Sequence, residues 1–208
     1  MEERFIAYHG TNQIERILED GAILCPILAN FPRRMSDRAN EFYQLKYQEY
    51  LDTVKKIISQ INPKFSLERS NISLEALADL TREGKVQNSL EPKQARVLFM
   101  DYQDSCRNLH IYLGSLTVAS KHLNSQEGAV LAIELTQQEV RKSRNYQLIL
   151  AALKEGKHAT IMIKERIGLD RLKEIYVPAQ KRLEVKNLLK KHSYEDVEIK
   201  PLEETVTA

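Results

Sequence analysis

Apolar residues gather in short runs near both ends of the chain and in helical stripes through its middle. Phe5-Ile6-Ala7-Tyr8 is an apolar and aromatic run that predicts a buried strand, ending at His9-Gly10. Glycine at that end permits a sharp turn and a close approach to the backbone. Asn12 and Glu15 have the spacing of a capping box, Ile14, Ile17 and Leu18 make a helical stripe, and Gly21 stands at the expected stop. Ala22 to Pro26 reads as a second short strand. Ile27 to Arg34 reads as irregular, with Pro26 and Pro32 as breakers.

The period then changes. Ser36 opens a long helix that runs to Ile61 and is stopped by Asn62-Pro63. Tyr43, Tyr47, Tyr50, Val54, Ile57 and Ile61 alternate steps of four and three, the seam of a bundle, with Leu51 and Ile58 widening it. Ser73 to Arg82 and Pro92 to Ser105 read as further helices. Residues 35–107 are therefore expected as a helical insertion. Its stripe is expected to pack on itself or on the main domain. Tyrosine is also favoured in protein interfaces, which gives a second reading, a dock for a partner protein.

Strand signals return at Leu109 to Leu113. Gly114-Ser115 turns the chain, and Ser115 is placed to cap a helix over Leu116 to Leu123. Ala129 to Leu135 is the clearest strand in the sequence. Thr136 with Glu139 is a full capping box, and Gly156 marks the end of the helix it opens. Ala159 to Ile163 is a strand and Lys164 to Lys173 a charged connection. Glu174 to Val177 is a strand closed by Pro178, Arg182 to His192 a helix, and Val197 to Lys200 an edge strand closed by Pro201. This irregular interleaving favours an α+β fold over a doubly wound parallel sheet.

Composition narrows the class. A chain of 208 residues, 42% hydrophobic and 29% charged, suits one globular domain, 1–208, carrying the insertion. A net charge of +2 neither demands nor excludes nucleic acid. Cys25 and Cys106 are far apart without metal-ligand spacing, which points to a reducing compartment. Met1-Glu2-Glu3-Arg4 lacks the basic flank and apolar run of a signal peptide, and no stretch has the length of a membrane span, so a cytoplasmic location is expected. His9, His110, His122, His158 and His192 are dispersed, and no metal is expected.

Three strand ends carry residues with chemistry: His9, Tyr112 and Glu174. The stretches are Tyr8-His9-Gly10-Thr11, Ile111-Tyr112-Leu113-Gly114-Ser115 with Ala119 beyond it, and Glu174-Ile175-Tyr176-Val177-Pro178. In this order they resemble the ADP-ribosyltransferases of the His-Tyr-Glu class, the toxin-like and PARP-like mono-ADP-ribosyltransferases. The segment Ile14 to Gly21 is similar to the family's first helix, and Val130 to Leu135 to its central strand. The likeness covers about 4–26 and 109–190 and leaves the insertion outside.

The resemblance implies a split two-sheet α+β fold with NAD, the ADP-ribose donor, in the cleft between the sheets and no metal. It implies that the Gly10 backbone holds the nicotinamide carboxamide and that His9 bonds a ribose hydroxyl. Tyr112 would stack on the nicotinamide, Glu174 would bond the nicotinamide-side ribose, and Thr11 and Ser115 would complete the NAD-binding set. The chemistry is physically sound. Cleavage of the nicotinamide–ribose bond develops an oxocarbenium-like sugar, which a carboxylate stabilises. The leaving group is already cationic and departs neutral, so a second acid is less necessary. A planar aromatic holds the ring at little entropic cost, and a peptide N–H and C=O can read an amide.

Departures from related patterns sharpen the expectation. Arginine-directed toxins would want Glu or Gln two residues before the catalytic Glu, where this chain has Leu172. RNA 2′-phosphotransferases share a His-Gly-Thr corner but lack this Glu, so Glu174 argues for NAD chemistry. His122 lies near where many relatives carry a second aromatic. The connection before Glu174 holds Lys164, Arg166, Arg171 and Lys173 against Glu165 and Asp170, a basic rim suited to RNA or DNA as acceptor, with protein as the alternative. The chain also resembles transferases of toxin–antitoxin and phage-defence systems, which would make the insertion an antitoxin dock or substrate platform. The competing readings are a non-catalytic module that binds NAD, an ADP-ribose-like ligand or a partner, and an enzyme like the RNA 2′-phosphotransferases. Glu174 separates the transferase from the binding module, because binding alone needs no carboxylate at a cleaved bond.

Overall fold

The computed structural model describes residues 3–31, 36–61, 100, 102, 104–121, 123, 128–141, 151, 155 and 160–202. The chain divides into two compact units, one made of Met1–Leu24 with Ile111–Ala208 and the other of Cys25–His110.

The first unit opens with strand β1 (Arg4–Thr11), helix α1 (Ile14–Asp20) and strand β2 (Ala22–Leu24). β1 does not end at His9. It stays paired through Thr11, which lies opposite Ala129, so the turn falls at Asn12 and Gln13. Gln13 rather than Asn12 stands at the helix N-cap, and no side chain caps it. The Asn12–Glu15 capping box is therefore not formed. Instead the Thr11 hydroxyl accepts from the Gln13 N–H at 3.0 Å. Gly21 ends α1 with φ 63°, the left-handed conformation that glycine adopts without a Cβ penalty.

The second unit holds α2 (Pro26–Ala29) and α3 (Ser36–Ile61). Pro26 sits at the start of α2, where its missing N–H costs nothing, so this part of the expected irregular stretch is a helical turn. On α3, Tyr43, Tyr50 and Val54 are buried. Residues 100, 102 and 104–109 are helical, so this helix passes Ser105 and includes Leu109, previously expected as strand. Tyr50 stacks on Tyr102 at 5.9 Å and meets the His110 ring at 5.5 Å. The Tyr43 hydroxyl donates to the Leu109 carbonyl at 3.4 Å. Tyr43 and Tyr50 are thus engaged within this unit, on Leu109, Tyr102 and His110. The helix expected over Ser73 to Arg82 lies outside the described residues, as do His122, His158 and Gly156.

The chain returns to the first unit through β3 (His110–Gly114), α4 (Leu116–Lys121), β4 (Ala129–Thr136) and α5 (Gln137–Arg141). β5 (Thr160–Lys164), β6 (Arg166–Gly168), β7 (Leu172–Val177), α6 (Arg182–Lys191) and β8 (Glu198–Pro201) follow. A six-stranded sheet runs β5-β3-β1-β4-β7-β8, and β2 pairs β6 in a separate two-stranded sheet. β1–β3, β1–β4 and β4–β7 are antiparallel, while β7–β8 is parallel. The architecture is α+β, as the irregular interleaving indicates. The charged connection 164–173 is not a plain loop, since it contains β6.

Side chains alternate across this sheet. Phe5 and Ala7 on β1 lie level with Leu135 and Ile133 on β4, and all four are buried. The opposite face carries Tyr8 and Gly10. There Val130, Ala132, Tyr176 and Leu202 pack with Ala119 of α4, and Tyr8, Leu116 and Leu123 border the cluster. α4 passes close over Gly10, where a Cβ would stand 2.3 Å from the Ala119 carbonyl oxygen. Glycine is required here by contact rather than by a turn. Thr136 and Glu139 form the expected reciprocal box: the carboxylate accepts from the Thr136 N–H at 2.9 Å, and the Thr136 hydroxyl accepts from the Glu139 N–H at 3.3 Å.

Candidate active site

The position of Glu174 depends on a bulge. β7 pairs Glu174 with Ala132 but Leu172 with Ile133, so Lys173 is an extra residue in the ladder. Two residues apart on a regular strand share a face. The bulge breaks that parity. Leu172 falls level with buried Ile133, while Glu174 joins the other face, in the row of Ala132 and Tyr8. Ala132 is small, so the space between Tyr8 and Glu174 stays open to their longer side chains. Leu172 is turned into the core and is not placed as a second acidic position would be.

Around Glu174 the structure gathers Tyr176, Lys200 and Tyr8. The Tyr176 hydroxyl donates to Glu174 Oε2 at 2.6 Å, and Lys200 Nζ donates to Glu174 Oε1. Lys200 also lies 3.6 Å from Glu198 and 6.0 Å from the Tyr176 ring centroid. The Tyr8 and Tyr176 rings meet edge to face at 6.0 Å. Burial works against ionisation of Glu174, but the Lys200 and Tyr176 contacts outweigh it and hold the carboxyl below its usual range. Burial, then the neighbouring carboxylate, push the Tyr176 hydroxyl far up, so it stays a donor. Burial likewise raises Tyr8. Two carboxylates face one ammonium, and the cluster is net negative. That is the charge needed beside a developing cation.

Glu174 has neither His9 nor Tyr112 among its bonding partners. His9 falls in the row of Leu131 and Ile175, and alternation turns it to the side of Phe5 and Ala7. Tyr112, two residues before the Gly114 that faces Tyr8, alternates to the Glu174 side. Beyond that one register pair β1 and β3 separate, and His9 Nδ1 donates across the gap to the Tyr112 carbonyl at 3.0 Å. A carbonyl can only accept, which fixes the proton on Nδ1 and leaves Nε2 as an acceptor. Burial, partly countered by this bond, lowers the His9 pKa, so the ring is neutral near pH 7.

Ser115 does not cap α4 with its side chain. Its carbonyl accepts from Val118 and Ala119, while its hydroxyl is buried with no hydrogen-bond partner. A buried hydroxyl left this way is costly unless something satisfies it. The Thr11 hydroxyl is engaged by Gln13 and Gly10 is covered by Ala119, so both build the corner itself.

The basic rim is smaller than the sequence suggests. Arg171 is paired with Glu139, and Lys173 lies 3.5 Å from Glu134. Both charges are matched within the fold, and Arg166 is the exposed cation left on β6.

Sequence reasoning passed over Tyr8, Tyr176 and Lys200. Tyr176 had a local signal, since Glu174-x-Tyr176 places both on one side of a strand. Lys200 had none, because only the parallel pairing of β8 brings it beside Tyr176.

Among the described residues no group of His, Cys, Asp and Glu is arranged to hold a metal ion, and no helix is long and apolar enough to cross a membrane. No family model and no curated protein matches the chain. A solved structure of Thermosipho africanus DarTG in complex with ADP-ribose is similar at 12% identity and a TM-score of 0.42, over 95% of this chain and 50% of that one. The chain spans about half the length of that neighbour. A likeness this loose carries nothing about the chemistry here.

Proposed function

We propose that the chain is an NAD-dependent mono-ADP-ribosyltransferase whose charge-stabilising carboxylate is Glu174. The observation that carries this reading is the ionised Glu174, aimed by the bulge at Lys173 and held by Tyr176 and Lys200 in a net negative cluster. A carboxylate has about four lone-pair sites, and these partners use two. The others can accept a ribose hydroxyl and face the positive charge that develops as nicotinamide leaves. Tyr112, turned to the Glu174 side, offers a stacking surface and the Ser115 hydroxyl a donor, while His9 faces the other side of the sheet and is not assigned to this ribose. ADP-ribose would pass to a macromolecular acceptor, RNA or DNA being suggested by the basic residues of the 164–173 connection, of which Arg166 stays exposed, with protein as the alternative.

The test is nicotinamide release from NAD by wild type and Glu174→Gln, with and without RNA, DNA and protein acceptors. Glutamine keeps the Tyr176 bond and removes the charge. Release is expected to fall by about 10²-fold or more while NAD binding and folding persist. Unchanged release in the variant rules out Glu174. The engagement of both Glu174 oxygens favours one other reading, a module that binds such a ligand without cleaving it. NAD binding with no release under any condition supports that module.

A further inference from the structure

The outer side of α6 carries a feature that the transferase chemistry does not use. Arg182, Lys186 and Lys190 recur every four residues, so their side chains line one face of the helix about 6 Å apart along its axis. All three are exposed, and none has an ion-pair or hydrogen-bond partner among the described residues. The neighbouring charges behave differently, since Lys181 pairs with Glu184 and Lys191 with Glu15. The unpaired three border a groove of about 750 Å³ between α6 and β8, with Leu189, Val197 and Ile199 among its lining. Leu183, also on the groove, is 71% exposed. An ordered row of unmatched cations beside an apolar trough marks a surface built for contact.

We propose that this groove docks an acidic amphipathic segment of a partner protein. Carboxylates one helical turn apart on the segment would match Arg182, Lys186 and Lys190, and its apolar side would cover Leu183, Val197 and Ile199. The lining argues against a nucleic-acid strand. None of the lining residues is aromatic, so bases have no platform to stack on, and Glu195 on the rim repels phosphate. The same Glu195 suits a basic residue of a protein segment. This surface does not depend on the transferase reading.

The test uses the full chain and two fluorescent probes read by anisotropy at low and high salt. One is a designed helical peptide with Glu at every fourth position beside a Leu stripe. The other is single-stranded oligothymidylate. The peptide is expected to bind with salt-sensitive affinity, weakened about tenfold or more by Lys186→Gln with Lys190→Gln. Leu183→Ser is expected to weaken it with an unchanged salt dependence, and a peptide with Gln for Glu is expected to bind poorly. Circular dichroism checks that these surface variants remain folded. Absence of peptide binding, or binding indifferent to all three changes, overturns the proposal. Tighter binding of oligothymidylate that the Lys186 and Lys190 changes abolish overturns it in favour of a nucleic-acid surface.

Discussion

Lys200 stands in register with Tyr176, yet its ammonium reaches past that residue to the carboxylate of Glu174. The pair joins the edge strand β8 to β7, and it is one of the two contacts that outweigh burial in keeping Glu174 ionised. Lys200→Met should therefore raise the Glu174 midpoint, because burial is then opposed by Tyr176 alone. Carboxyl NMR titration reads this directly. The acid limb of nicotinamide release should move toward neutral pH with it, and Lys200→Arg should restore most of both. A Glu174 midpoint that does not move in Lys200→Met would show that the contact has no electrostatic consequence.

Gly10→Ala should destabilise the first unit by about 1–3 kcal/mol, the usual cost of forcing atoms into a packed site. The new Cβ would meet the Ala119 carbonyl at 2.3 Å, and backbone cannot step aside as a flexible side chain can. Urea denaturation gives the value. A change below a few tenths of a kcal/mol would mean that α4 shifts freely.

Glu139 closes the capping box of α5 and also receives Arg171. Burial raises its carboxyl, but the Thr136 and Arg171 bonds together bring it below the ordinary value. A carboxyl depressed in the folded state contributes stability above its unfolded pKa, and that contribution is lost as pH falls through the folded one. Glu139→Ala should cost about 1 kcal/mol near neutrality, a typical cap value. The gap from wild type should close on acidification, and a gap constant with pH would contradict the assignment.

His9 should stay neutral at pH 7 and titrate below its ordinary 6.5. Here the unfolded chain takes up the proton first, so stability falls as pH drops below that ordinary value toward the folded one. NMR of the imidazole gives the midpoint, and His9→Gln should remove this part of the acid sensitivity. A midpoint above 6.5 would mean that burial does not outweigh the Tyr112 bond.

Much of the fold was legible in local pattern. The run Ala129–Leu135 had to be a strand, Thr136 and Glu139 had to meet across one turn, and Gly21 supplied the left-handed stop. Each depends on residues within a few positions of one another, where sequence spacing is spatial spacing. The seam Tyr43, Tyr50 and Val54 declared a buried stripe in the same way, though not what would cover it. The first corner was misplaced because pairing with Ala129, far along the chain, holds Thr11 in the strand.

The candidate site divides along the same line. Glu174 and Tyr112 could be named from their strands, and Leu172 could be excluded as a second acid from its side chain alone. Which face each side chain takes was settled by the tertiary structure. A single extra residue at Lys173 reverses strand parity, and only cross-strand pairing reveals it. Likewise, the sequence determined that β8 would be an edge strand, but not that it lies parallel to β7 and delivers Lys200 to Glu174. Secondary structure follows from short-range sterics and hydrogen bonding. The ionisation and orientation of a carboxylate follow from distances between strands that no spacing along the chain records.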